Sequence, residues 1–230
     1  GEPSAGLPPV AFVSFAQNHH QIGNRAFGER VTAIADPVRL RALMACVLLA
    51  PQVPLLFMGE EFAASTPFLF FCDFGGALAG AVTRGRREEF AHFLRFHDPS
   101  ARQVIPDPNA EDTFAACKLD WREAAAPRGS QWRAFYRHFL ELRHRHIVPF
   151  LSELTHGGTF CAGEDALLRV DWTTPRRDAL HLVASFAPAA LAGVEIPCGD
   201  CIFATRDMPV PGATGTVPRH GVAFVIEHAA

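Results

Sequence analysis

From Val10 to Ala16 the chain is almost entirely apolar and carries no charge, and it then breaks into Gln17-Asn18-His19-His20-Gln21. An apolar run bounded by Pro9 and a polar cluster predicts a fully buried strand. Asp36-Pro37 predicts a helix start, with Asp as N-cap and Pro at the first helical position. Leu40, Leu43, Met44, Val47 and Leu48 then fall at i, i+3, i+4, i+7 and i+8, one apolar helix face, until Pro51 stops it. Val53 to Met58 predicts a second buried strand, ending abruptly at Gly59-Glu60-Glu61. The pattern is a βαβ unit with polar clusters at the C-terminal ends of both strands. In a (β/α)₈ barrel that end is the catalytic face; in a doubly wound sheet it is the ligand crevice.

Further along, Arg84 to Phe96 predicts a charged amphipathic helix and Asp98 to Arg128 an irregular loop. Gln131 to His146 predicts a helix with Trp132, Phe135, Phe139 and Leu142 on one face. Its basic last turn, Arg143-His144-Arg145-His146, reads as a solvated end that complements the helix dipole. Beyond Pro149 the period changes to two. Ala166 to Trp172, Ala179 to Ala187 and Gly221 to Glu227 predict strands of a small antiparallel β-domain. The division expected is residues 1–150, α/β, and residues 151–230, all-β, with no internal repeat.

Composition narrows the function. With 49% hydrophobic residues and a net charge of −3, the chain has the balance of a packed soluble domain. It carries no electrostatic footprint for nucleic acid and no basic patch for a membrane. No apolar run is long enough to span a bilayer. Nothing at the start resembles a signal peptide. The chain enters its first strand almost at once, as a domain cut from something longer would, and its six cysteines are expected to be reduced thiols in a cytoplasm. Cys198-Gly-Asp-Cys201 is a lone CxxC without a second ligand pair and is expected at a hairpin tip. His19 and His20, as neighbours on an extended backbone, are expected to diverge and to hold no metal.

The string FVSFAQNHHQIGNR, followed by PLLFMGEEFAASTPFLFFCDF, GRREEFAHF and VIPDPNAEDTFAACKLDW, resembles the α-amylase superfamily of glycoside hydrolases. Within it the resemblance is to the enzymes that release trehalose from the end of a maltooligosyl chain. Branching enzymes of that superfamily share a similar LFMGEEF but usually read Ser-His-Asp-Glu where this chain reads Asn18-His19-His20-Gln21. The resemblance covers essentially the whole chain and implies strands seven and eight of an incomplete (β/α)₈ TIM barrel followed by a C-terminal antiparallel β-sandwich. It implies maltooligosyltrehalose or α-1,4-glucan as ligand, the missing N-terminal barrel portion as partner, and no cofactor.

Retaining glycosidases of this kind use a nucleophilic carboxylate and a carboxylic acid around an oxocarbenium-like transition state. By resemblance these follow strands four and five and lie outside the chain. A third acid follows strand seven in an Asn-His-Asp pattern, in which Asn18 and His19 match and His20 stands in the place of the Asp. A unit charge about 4 Å from the oxocarbenium, at an effective dielectric of about 20, is worth roughly 4 kcal/mol. Its loss costs about three decades in rate, so the isolated chain is expected to be inactive. Gln21 and Arg25 are candidates for binding sugar hydroxyls, Arg25 alternatively for a salt bridge. Of Glu60 and Glu61, one is expected to face the pocket and the other to pair with an arginine. Phe62 and Phe68 either stack on glucosyl rings or pack. An alternative is a catalytically dead or truncated homologue acting at most as a glucan-binding module.

Overall fold

The computed structural model describes residues 2–163 and 165–229. In chain order they form β1 (Val13–Ser14), α1 (His19–Gly23), α2 (Val31–Ile34), α3 (Pro37–Leu49), β2 (Val53–Pro54), α4 (Gly76–Glu89), α5 (Pro99–Arg102), α6 (Glu111–Ala115), α7 (Arg122–Ala125), α8 (Pro127–Leu142) and α9 (Val148–Leu151). Then come β3 (Thr159–Ala162), β4 (Leu167–Thr173), β5 (Ala179–Ser185), β6 (Leu191–Glu195), β7 (Asp200–Ala204), β8 (Thr214–Val217) and β9 (Val222–Glu227). Two compact units interleave along the chain: Gly1–Ala16, Asp36–Leu55 and Ala134–Ala230 form one, Gln17–Ala35 and Leu56–Arg133 the other.

In the first unit, β1 and β2 pair in parallel, Val13 opposite Val53, with α3 as the crossover. The βαβ reading holds, but the expectation of buried strands does not. Each strand is two residues long, and Val10, Phe12, Val13, Phe15, Val53, Leu55 and Met58 are all exposed. The reason is missing cover. β1 and β2 make a two-stranded sheet by themselves, so their outer edges find no strand among the described residues, and an unpaired edge cannot propagate a ladder. Before β1, Pro9–Ala11 forms a 3₁₀ turn where the pattern predicts strand.

α3 starts as predicted. The Asp36 carboxylate accepts from the N–H groups of Val38 (3.1 Å) and Arg39 (2.9 Å), and Leu40, Met44, Leu48 and Leu49 are buried. Its other end corrects the reading of the basic turn after α8. Arg143 is buried, 7% exposed. It donates to the carbonyls of Leu48 (3.1 Å), Ala50, Pro51 (3.3 Å) and Gln52 (2.8 Å). One of the four basic residues therefore satisfies the orphan carbonyls at the end of α3, and α8 gives way to a π-helical stretch, Arg143–Ile147, around it.

The antiparallel region has a five-stranded sheet in the order β3-β4-β5-β9-β7 and a separate pair, β6-β8. Central β5 and β9 are buried along almost their whole length. Val183 and Val225 of the larger sheet pack with Val194 and Val217 of the smaller pair and with Ile196. α3 lies against β5 and β9, and Phe139 of α8 meets Phe203 of β7 with centroids 4.7 Å apart. β6 and β7 belong to different sheets, so Cys198 to Cys201 lies on a crossover between sheets and not at a hairpin tip.

In the second unit, α4 begins eight residues before the predicted helix and ends at Glu89. Phe90 and Phe96 pack with Ala26 and Ile105, and that cluster draws the chain out of helical geometry. The predicted loop 98–128 contains α5, α6 and α7. Asp98-Pro99 starts the first of these, the Asp98 side chain accepting from Ser100 N–H at 2.8 Å. Among the described residues no helix is long and apolar enough to cross a membrane.

Candidate functional site

The polar cluster first of all turns the chain. Asn18 is extended (φ −145°), and its Oδ1 accepts from His20 N–H at 2.8 Å. Gln21 Oε1 accepts in return from Asn18 N–H at 2.9 Å. This is a reciprocal capping box, which satisfies the N–H groups of Asn18 and His20 at the start of α1. Buried Gln17 gives its Oε1 to Val31 N–H at 3.0 Å. The side-chain oxygens of Asn18 and Gln21 are thus committed to the backbone, and their amide nitrogens are the part that can serve a ligand.

His19 and His20 occupy the first two helical positions and are exposed. Their ring centroids lie 4.2 Å apart, inclined by 36°. They do not diverge as neighbours on a strand would, because the cap has already placed them on a helical turn. The backbone N–H groups of a helix start favour a carboxylate. An Asp would therefore suit the position that His20 occupies at the start of this turn.

Glu60 and Glu61 do not end a strand either. The chain turns at Gly59 (φ 79°) into a single 3₁₀ turn, Glu60–Phe62, and leaves it through Ala63 (φ 52°). A Cβ at Gly59 would lie 2.7 Å from Leu119 Cδ2 and 2.8 Å from Ala64 Cβ, so the turn needs glycine for space as well as for φ. Glu60 is 1% exposed, and its Oε2 accepts from Phe57 N–H at 3.4 Å. Its charge neighbour is Arg30, also buried, which donates Nε to Thr66 O (2.6 Å) and Nη1 to Met58 O (2.7 Å). Burial pulls the Arg30 guanidinium below its usual value, and the carboxylate of Glu60 is the strongest influence opposing that. Arg30 and Glu60 therefore brace the turn from inside, and half-buried Glu61 is the one that retains solvent access.

Arg25 donates Nε to Glu29 Oε2 at 3.1 Å, the salt bridge expected as one of its two readings. Phe62 is buried against Trp121, centroids 5.7 Å apart, and has no face to offer a sugar. Phe68 sits between Phe57 (5.0 Å) and Phe71 (5.7 Å). Phe62 and Phe68 are thus both in contact with other rings, Phe62 buried and Phe68 half-buried. Among the described residues no group of three or more His, Cys, Asp or Glu side chains is arranged to hold a metal ion.

The sequence reading placed Gln17 in the polar cluster without a role of its own and passed over Arg30 and Arg86. Arg86 is 7% exposed and donates Nη2 to the carbonyls of Gly23 (2.6 Å) and Arg25 (2.9 Å). For the cap a signal existed, since Asn18 and Gln21 stand at capping-box spacing. The buried arginines carry none, because their acceptors are carbonyls distant in sequence.

No protein-family model matches the chain. It is 45% identical over 144 residues to a malto-oligosyltrehalose trehalohydrolase from Deinococcus radiodurans, covering 62% of this chain and 23% of that protein. A protein of the same name from Rhizobium sp. (strain M-11) is 34% identical over 204 residues, covering 88% of this chain and 32% of that protein. The chain therefore spans between 23% and 32% of the length of these relatives. Among solved structures, a Salmonella typhimurium protein described as a candidate α-amylase superposes with a TM-score of 0.84 at 40% identity. That superposition covers 97% of this chain and 36% of that one. The trehalulose synthase MutB shares the fold, with a TM-score of 0.53 at 14% identity, over 94% of this chain and 43% of that one.

Proposed function

We infer, from a chain that matches part of a malto-oligosyltrehalose trehalohydrolase and shares its fold with enzymes of the α-amylase family, that it is the C-terminal part of a trehalose-releasing glycoside hydrolase. Residues 1–150 supply the end of a (β/α)₈ barrel and residues 151–230 a β-sandwich. The parallel β1-α3-β2 unit with open outer edges supports the first. The facing valines of the two antiparallel sheets support the second. The ligand is maltooligosyltrehalose or the α-1,4-glucan from which it derives, the partner is the remaining, N-terminal barrel portion, and the setting is a cytoplasm.

The observation that carries this reading is the exposed His19–His20 pair, held on a capped turn after a parallel barrel-like strand. His19, with the amide nitrogens of Asn18 and Gln21, binds sugar hydroxyls. Arg25 and Glu61 contribute further polar contacts, and Glu60 acts through the turn it braces. His20 occupies the place of a transition-state-stabilising Asp and supplies no negative charge there. The nucleophile and general acid belong to the part of the relatives that this chain does not span.

The lack of a carboxylate at His20 also favours a second reading, a homologue that binds glucan without cleaving it. Incubation of the 230-residue chain with maltotriosyltrehalose separates these from a self-sufficient enzyme. No trehalose above the blank is the expected result. Release would mean that acids within this chain do the chemistry, and the assignment of the site would fall.

A further inference from the structure

α1 carries its two histidines at one end and Asn24 at the other, where the Asn24 N–H caps the helix on the carbonyls of His20 and Ile22. Just past that cap a concavity of about 280 Å³ opens, with Asn24, Arg25 and Glu29 on one wall and Phe27, Phe93 and Arg95 on the other. We propose that this concavity binds one glucosyl unit of an α-1,4-glucan. The proposal rests on the glucan reading above and gives it a second point of contact, apart from His19 and His20.

The polar wall is fixed before any ligand arrives. Arg86 on α4 holds the carbonyls of Gly23 and Arg25 from behind and is itself tied to Glu89 at 2.9 Å. Arg25 reaches Glu29 through Nε alone, which leaves its two Nη groups and the second Glu29 oxygen able to bond a ligand. The side-chain amide of Asn24 makes no hydrogen bond among the described residues. The other wall is mainly aromatic. Phe93 is 50% exposed and stands over buried Phe90 and Phe96, while the Arg95 guanidinium lies 5.0 Å from the Phe27 ring centroid.

A pyranose matches these walls. Its C–H face covers an aromatic ring, and its hydroxyl rim suits an amide, a guanidinium and a carboxylate together. A purely apolar occupant would leave three polar groups desolvated without bonds. The lining carries two guanidinium groups, Arg25 and Arg95, against the one carboxylate of Glu29, so inorganic phosphate is the competing ligand that the test must exclude. The volume sits at the lower end for small-ligand pockets, which suits a single ring.

Equilibrium dialysis of the full 230-residue chain against labelled maltotriose tests this. Wild type is expected to bind, Phe93→Ala to bind about tenfold more weakly or worse, and inorganic phosphate not to displace the sugar. Circular dichroism melting of Phe93→Ala is expected to match wild type, since the ring is half exposed. Undiminished binding by Phe93→Ala overturns the proposal, while loss of that binding in His19→Ala would leave the glucan reading standing. Displacement by phosphate overturns it in favour of an anion site. Absence of binding by wild type overturns both.

Discussion

At the scale of single residues, His220 gives the stability of the fold a pH dependence. His220 is buried with φ 58°, and its Nε2 accepts from Arg219 Nε at 2.9 Å. Burial first, then the charge of Arg219, pushes its imidazole below the usual 6.5; Arg39 acts in the same direction and Asp36 against it. A depressed folded value means that the ring contributes stability above the unfolded pKa. That contribution is lost as the pH falls below about 6.5 through the folded value. Chemical denaturation at about pH 7.5 and about pH 5 should therefore show a lower midpoint in acid. His220→Asn, which tolerates the left-handed backbone, should reduce that difference, and an unchanged difference would refute the role given to His220. Legibility varied at this scale. Asn18-His19-His20-Gln21 was readable as a chemical cluster, but its first task, the capping box, is a backbone property that the resemblance to a catalytic pattern overshadowed.

Among the elements, α3 is the best determined by local sequence. Asp36-Pro37 fixes its start, and the apolar face fixes its burial. Its end is fixed by a residue some ninety positions later, which no local pattern encodes. Four consecutive basic residues, Arg143 to His146, look alike as a string, and only the fold decides that Arg143 is the one inside. Burial holds its guanidinium below its usual value, yet four carbonyls share it. Arg143→Leu should cost on the order of 3 kcal/mol, because several buried carbonyls lose their donor at once. Arg143→Lys should retain part of that. Urea unfolding of the two variants checks the order, and a leucine variant as stable as wild type would contradict the capping role. The strands divide in the same way. β4 announces itself by period-two alternation and β5 and β9 by largely apolar runs that are buried almost throughout, while β3, β6, β7 and β8 are short, largely exposed pieces that only pairing defines.

For the molecule as a whole, the exposed apolar run of β1 and β2 decides behaviour in solution. Val10, Phe12, Val13, Phe15, Val53 and Leu55 are exposed beside two open sheet edges, a combination that favours association. Sedimentation velocity of the purified chain should show association that grows with concentration. A strictly monomeric chain with one cooperative unfolding transition would contradict the open-barrel reading. The same openness explains why β1 and β2 were legible as part of a βαβ unit but not in extent. Apolar runs predict burial, and no strand among the described residues pairs with the outer edges of β1 and β2. The central claim is that this chain is the C-terminal part of a trehalose-releasing hydrolase in which His20 has replaced a charge-bearing acid. The most direct test puts the chain in place of its matching segment in the Deinococcus radiodurans relative and measures trehalose release with His20 and with His20→Asp. The account predicts that the Asp restores about three decades in kcat with little change in KM, while equal rates for the two chimeras would contradict it.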